Sequence, residues 1–181
     1  MDPALQWVAM VSTPGDGRTR LQGGSAMSSL PATVEEFDTI TAYLTWEHGR
    51  LARLLDDTAR FVSDGDWTPA GAAFAEFERG VDRHMRDEEE VLFPLFEARS
   101  GIVDGPTSVL RAEHRQVRGS LIRMRGAVAG ADAAGFEEGR SFLRSVLPAH
   151  DAQEEHVLFP TTDRLLAPAE RRAVVARLLR R

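Results

Sequence analysis

From Thr33 onward apolar residues recur at three- and four-residue intervals, the spacing of one helix face. Thr33 and Glu36 stand at capping-box spacing, and Phe37, Leu44, His48, Leu51 and Leu55 then share a face, which predicts a first helix over 33–62. Ser63-Asp64-Gly65-Asp66 reads as a turn. A second helix is expected from Pro69 to Arg99, with Phe77, Val81, His84, Glu88, Val91, Leu92 and Leu95 inward, and Ser100-Gly101 with Asp104-Gly105-Pro106 as the break after it. A third follows over 106–129 on Leu110, His114, Val117, Leu121 and Val128. A fourth covers 133–165 on Leu143, Val146, Leu147, His150, Glu154, Val157 and Leu158, and a short amphipathic one closes the chain over 168–180. Four long amphipathic helices on short turns predict an all-α protein, an up-down-up-down four-helix bundle with a short C-terminal helix. Pro94, Pro148 and Pro160 fall inside helical patterns and should kink or end them locally. Residues 1–32, rich in Gly, Ser, Thr and Pro, read as a flexible, disordered tail, with Met27 as a second candidate start; the domain is expected over 33–181.

Composition narrows the chemistry. Of 181 residues, 43% are hydrophobic, enough for one core, and the net charge of −6 disfavours non-specific nucleic-acid binding. There is no cysteine, which excludes disulfides, zinc-thiolate sites and iron–sulfur clusters. No apolar run approaches a membrane span, and the N-terminus lacks the basic start of a secretory signal, so a cytoplasmic protein away from membranes is expected.

Two segments nearly repeat: His84-Met-Arg-Asp-Glu-Glu-Glu-Val-Leu-Phe-Pro94 and His150-Asp-Ala-Gln-Glu-Glu-His-Val-Leu-Phe-Pro160. They are offset by 66 residues, as are Glu47-His48 and Glu113-His114. The chain is therefore two helical hairpins of one plan. His48 and His84 are equally far from the first turn, His84 and His114 from the second, and His114 and His150 from the third. In an antiparallel bundle residues equally far from a turn share a level, so the four imidazoles should meet in one buried layer. Glu88 and Glu154, four residues after a histidine, lie roughly 40° round the helix from it and point into the same layer. Burying two carboxylates with four imidazoles is costly unless cations compensate, and this thiolate-free donor set suits iron, zinc or manganese. Six donors exceed one tetrahedral ion's needs; two ions bridged by the carboxylates is the economical reading.

These motifs resemble the hemerythrin HHE cation-binding family over about residues 33–165. The resemblance implies a non-haem di-iron centre on His48, His84, Glu88, His114, His150 and Glu154, with an oxo or hydroxo bridge, reacting with O₂, NO or peroxide. The oxygen carriers of the family have a fifth histidine where this chain has Arg118, and a carboxylate five rather than four residues after the last histidine. The chain thus looks like the bacterial branch, with two histidines per metal and open positions. That favours binding or sensing of O₂ or NO, with an oxidase or peroxidase, or iron storage and handling, as alternatives; whether it turns over substrate stays open.

Other polar residues near the motifs have plainer expectations. Glu89 and Glu155 should be solvated or one step out from the metals, Glu155 staying a rival to Glu154 as ligand. Glu47 and Glu113 are expected to be exposed, His156 to lie on the surface, and Arg118 to reach out past the core edge or pair with a bridging carboxylate. Phe93-Pro94 and Phe159-Pro160 should be packing and bending devices, and Tyr43, Trp46 and Trp67 boundary packing.

Overall fold

A computed structural model describes residues 37–180. Among them every regular element is helical. Helix α1 is Ile40–Asp64. Helix α2 is α-helical over Trp67–Asp87, makes a π turn over Glu88–Leu92, and resumes over Phe93–Ser100. Helix α3 is Pro106–Ala129. Helix α4 repeats the plan of α2, with Ala133–Gln153, a π turn at Glu154–Leu158, and Phe159–Leu165. Helix α5 is Pro168–Leu179. In sequence order α1 packs on α2, α2 on α3, α3 on α4, and α4 back on α1, with α5 against α1.

The first helix begins later than the periodicity predicts. Phe37 is buried, as expected, but residues 37–39 are not helical. The cap is Thr39, in extended conformation, whose hydroxyl accepts the Ala42 N–H at 3.0 Å. Asp163, from the far end of α4, accepts the N–H groups of Ile40 and Thr41, both at 3.0 Å, and the Thr41 hydroxyl at 2.6 Å. A carboxylate at a helix N-terminus satisfies otherwise orphaned donors and complements the helix dipole. The expected Thr33–Glu36 box and the tail of residues 1–32 lie outside the described residues. Helix α1 stops at Gly65, which takes φ 76°, left-handed backbone that glycine adopts without a side-chain clash.

The π turns explain what the prolines do. Phe93 N–H bonds to the Glu88 carbonyl and Phe159 N–H to the Glu154 carbonyl, one residue further back than in an α-helix. Pro94 and Pro160 follow immediately, in the first turn of the resumed α-helix, where a missing N–H is best tolerated. The Glu89 carbonyl accepts Arg111 Nη1 at 3.1 Å instead. Pro148, by contrast, lies inside α4 without ending it. Each wide turn also shifts the register beyond it. Leu95, expected inward, is only half-buried, whereas Phe93 and Phe96 are fully buried.

The buried apolar residues form two sets with the histidine layer between them. One is the cluster of Leu51, Leu55, Phe74, Phe77, Val81, Leu121, Met124, Phe136 and Leu143 with their neighbours. The other holds Ile40, Tyr43, Leu44, Leu92, Phe93, Leu110, Leu158 and Phe159, with Val175 and Leu178 of α5. Tyr43 is core, 1% exposed, rather than boundary. Its carbons are surrounded on the helix face that also carries Leu44 and Leu51. Trp46 and Trp67 are half-buried, as expected.

Candidate metal centre

Each long helix brings one histidine to the layer, His48 on α1, His84 on α2, His114 on α3 and His150 on α4. Helices α2 and α4 add Glu88 and Glu154, the first residues of the two π turns. None of the six side chains is more than 9% exposed. All four imidazoles turn Nε2 toward the carboxylates. Glu88 presents Oε1 to His84 Nε2 and Oε2 to His114 Nε2, both at 3.4 Å. Glu154 Oε2 stands 3.4 Å from both His48 Nε2 and His150 Nε2. Each carboxylate therefore lies between a histidine of one hairpin and a histidine of the other. Two overlapping sets result, His48–His84–Glu88–Glu154 and Glu88–His114–His150–Glu154, each with its donor atoms within 4.8 Å of one another. Of the two rival carboxylates on α4, Glu154 stands in both sets and Glu155 in neither.

The donor atoms fit a cation. Among the described residues, both oxygens of Glu88, both of Glu154 and His114 Nε2 are buried without a hydrogen-bond partner. Orphaned buried acceptors of this kind are costly, and here they converge on one spot. Without a cation the charges rearrange. Burial opposes charge on His48, but the Glu154 carboxylate beside it, with Asp151 and Glu88, outweighs burial and pushes the imidazole up to about 10. Burial dominates at His84, which is pushed down to about 4 despite Glu88. Burial, reinforced by repulsion from Glu88, holds Glu154 well above the usual carboxylate range. Burial opposes charge on Glu88 as well, yet His84 and His114 hold its carboxyl below that range. Two like charges in one dry layer split in this way, one carboxyl pushed up and the other down.

Behind the Nε2 atoms lies a ring of carboxylates that sequence reading misplaces in part. Glu155 meets His48 Nδ1 at 2.8 Å and Glu89 meets His114 Nδ1 at 2.9 Å, so both stand one step out from the centre, as expected, and each crosses to the other hairpin. Glu113, expected to be exposed, meets His150 Nδ1 at 2.8 Å. Glu47, also expected outside, is 1% exposed and held by guanidinium groups: Arg50 donates at 2.7 and 3.0 Å and Arg83 at 2.8 Å. Burial opposes its charge, but Arg50 and Arg83 keep its carboxyl below the ordinary range. Arg118 neither reaches past the edge nor touches a central carboxylate; it grips Glu89 with two bonds of 2.9 and 3.0 Å. A glutamate one residue from a histidine looks like surface in a periodicity plot. Only the neighbouring helix, bringing an imidazole or a guanidinium to it, reverses that. His156 is exposed, as expected.

Phe93 stacks on His114 at 5.7 Å between ring centroids and Phe159 lies 5.8 Å from His48, closing the layer on one side. On the other side a cavity of about 350 Å³ opens onto all four histidines. Its walls are largely apolar, with Leu51, Leu55, Phe77, Val81, Val117 and Leu143 among them. Asp56, 76% exposed, also lines it, so the cavity communicates with solvent.

The fold and the site together define a helical protein with a buried imidazole–carboxylate cluster whose donor atoms suit a cation. Residues 39–162, more than half of the chain, match the family described as the Hemerythrin HHE cation binding domain, and the chain belongs to that family. No curated protein and no solved structure gives a significant match. Among the described residues no helix is long and apolar enough to cross a membrane.

Proposed function

We propose that this chain is a non-haem di-iron protein of the four-histidine, two-glutamate type, which binds or senses O₂ or NO. One observation carries the reading: two overlapping donor sets share Glu88 and Glu154, so each carboxylate can serve two ions at once. His48 and His84 would hold one ion and His114 and His150 the other. Two imidazoles with two carboxylates and no thiolate suit iron over softer metals, with zinc or manganese as alternatives. Four protein donors per ion are fewer than an octahedral ion takes. The bound pair supplies Lewis acidity and redox capacity toward a small ligand. The residues supply the rest. The apolar cavity favours a neutral diatomic ligand over bulk water and ions, and Phe93 and Phe159 shield the opposite side. The outer carboxylates fix which ring nitrogen carries the proton and so aim Nε2 inward. An up-down-up-down order of the helices and a domain over 33–181 belong to the same reading.

A second reading rests on the cavity's size. A diatomic needs about one water's share of volume, roughly 30 Å³, and the cavity is far larger. That excess favours turnover of a bulkier reactant or of peroxide, an oxidase or peroxidase. Loading the stripped protein with iron(II) without air, then admitting O₂ or NO, tests both. The expected result is two irons per chain and a new near-ultraviolet absorption on exposure, both lost in His84→Ala. Sustained peroxide consumption would select the second reading. An unchanged spectrum, or a single zinc per chain indifferent to oxidants, would end both.

A further inference from the structure

The two hairpins repeat at an offset of 66 residues, and the bonds His48–Glu155 and His114–Glu89 repeat with them, yet one histidine–carboxylate bond does not. His150 Nδ1 meets Glu113 at 2.8 Å. Moving both residues back by the offset gives His84 and Glu47, so Glu47 should accept from His84 Nδ1. It does not. Both of its oxygens are taken by Arg50 and Arg83. His84 Nδ1 is left buried with no hydrogen-bond partner among the described residues. The cause is legible once the halves are aligned: where the first hairpin has Arg50 and Arg83, the second has Gln116 and Ala149. No guanidinium pair competes for Glu113. The other two rings are served, His48 by Glu155 and His114 by Glu89.

A carboxylate on the far nitrogen of a ligating imidazole fixes the tautomer, orients the ring and makes the near nitrogen a better donor; losing it costs about 10–100-fold in metal affinity. The His114–His150 pair has this support on both rings, and the His48–His84 pair on one. We propose that the two ion positions are unequal. The position at His114 and His150 fills first and holds tightly, and the position at His48 and His84 is weaker and exchangeable. Arg50 and Arg83 set the difference by withholding Glu47. This rests on the two-ion reading above. Its consequence is a chain that holds one ion under metal scarcity and completes its centre only when metal is plentiful. Glu113 and the withheld Glu47 are positioning residues, acting through the rings beside them.

Cobalt(II) titrated into the stripped full-length chain, against a competing chelator and followed by visible absorption and calorimetry, tests it. The expected result is two steps of one ion each, with dissociation constants at least about tenfold apart. Arg50→Gln with Arg83→Ala gives the first hairpin the residues of the second. The weaker step should tighten about tenfold, bringing the two constants within about threefold. Glu113→Gln should weaken the tighter step instead, and it decides the matter should the double variant not fold. Two equal steps in the natural chain, or an unchanged gap in the double variant, or an unmoved tighter step in Glu113→Gln, would overturn the proposal while leaving a two-ion centre intact. Binding of one ion or none would remove the two-ion reading itself.

Discussion

Stripping the metal leaves five buried donor atoms facing one another without hydrogen bonds, namely both oxygens of Glu88, both of Glu154 and His114 Nε2. A buried polar atom without a partner costs about 1–3 kcal/mol, so the metal-free layer carries a penalty of about 5–15 kcal/mol. That equals the whole net stability of an ordinary domain, about 5–15 kcal/mol. For a chain of this length each kcal/mol moves the midpoint by roughly 2–4 °C. Chelation should therefore lower the melting temperature by at least about 10 °C relative to the loaded protein. Melting followed by far-ultraviolet circular dichroism, on samples whose metal content is verified by elemental analysis, gives the answer. Glu154→Gln supplies the internal check. The amide removes one of two like charges from the dry layer, so the gap between loaded and stripped samples should shrink from both ends. If verified metal-free protein melts within about 2 °C of the loaded form, then the orphaned atoms are not a real cost and the argument from burial fails.

Two further outcomes are expected. Asp163→Ala removes three hydrogen bonds from the start of α1 and should cost about 2–3 kcal/mol, with faster amide exchange at Ile40 and Thr41; a loss below about 0.5 kcal/mol would refute the cap. Tyr43 is the only tyrosine in a chain with no cysteine and no lysine, all 22 basic residues being arginine, so it is the one side chain that can give a phenolate signal at high pH. Burial and then Glu47 push its phenol up to about 12, so its contribution to stability is full below the ordinary value of about 10 and is lost as pH climbs from about 10 to 12, up to about 2.7 kcal/mol in all. Near-ultraviolet phenolate absorbance of the folded protein should show one late midpoint, and a midpoint near 10 would contradict the burial argument.

Much of this molecule can be read from spacing alone. The third helix begins at Pro106 and ends at Ala129 as the periodicity predicts, because proline, glycine and the apolar stripe all mark the same boundaries. The meeting of four histidines at one level follows from their equal distances to the turns. What spacing cannot show is any choice made between helices. Hydrophobic spacing does not distinguish Glu47, pinned by Arg50 and Arg83, from Glu113, which serves His150. The start of α1 at Ile40 is held by Asp163, more than a hundred residues away, which no local spacing reveals. A template with 3.6 residues per turn also has no place for an extra residue, so Leu95 is placed inward where Phe93 and Phe96 belong. Pro94 and Pro160 are the only local signs of that change.

The widened turns in α2 and α4 make chain length at those points matter more than residue identity. Glu90 and His156 are exposed there, and exchanging either for another polar residue leaves the backbone path alone. Deleting either one is different. Uniform winding would return, His84–Glu88 or His150–Glu154 would keep its spacing, and everything beyond would swing by about 100°. Phe93 or Phe159 would then rotate away from the imidazole it now covers, opening the centre to water from the side the fold keeps shut.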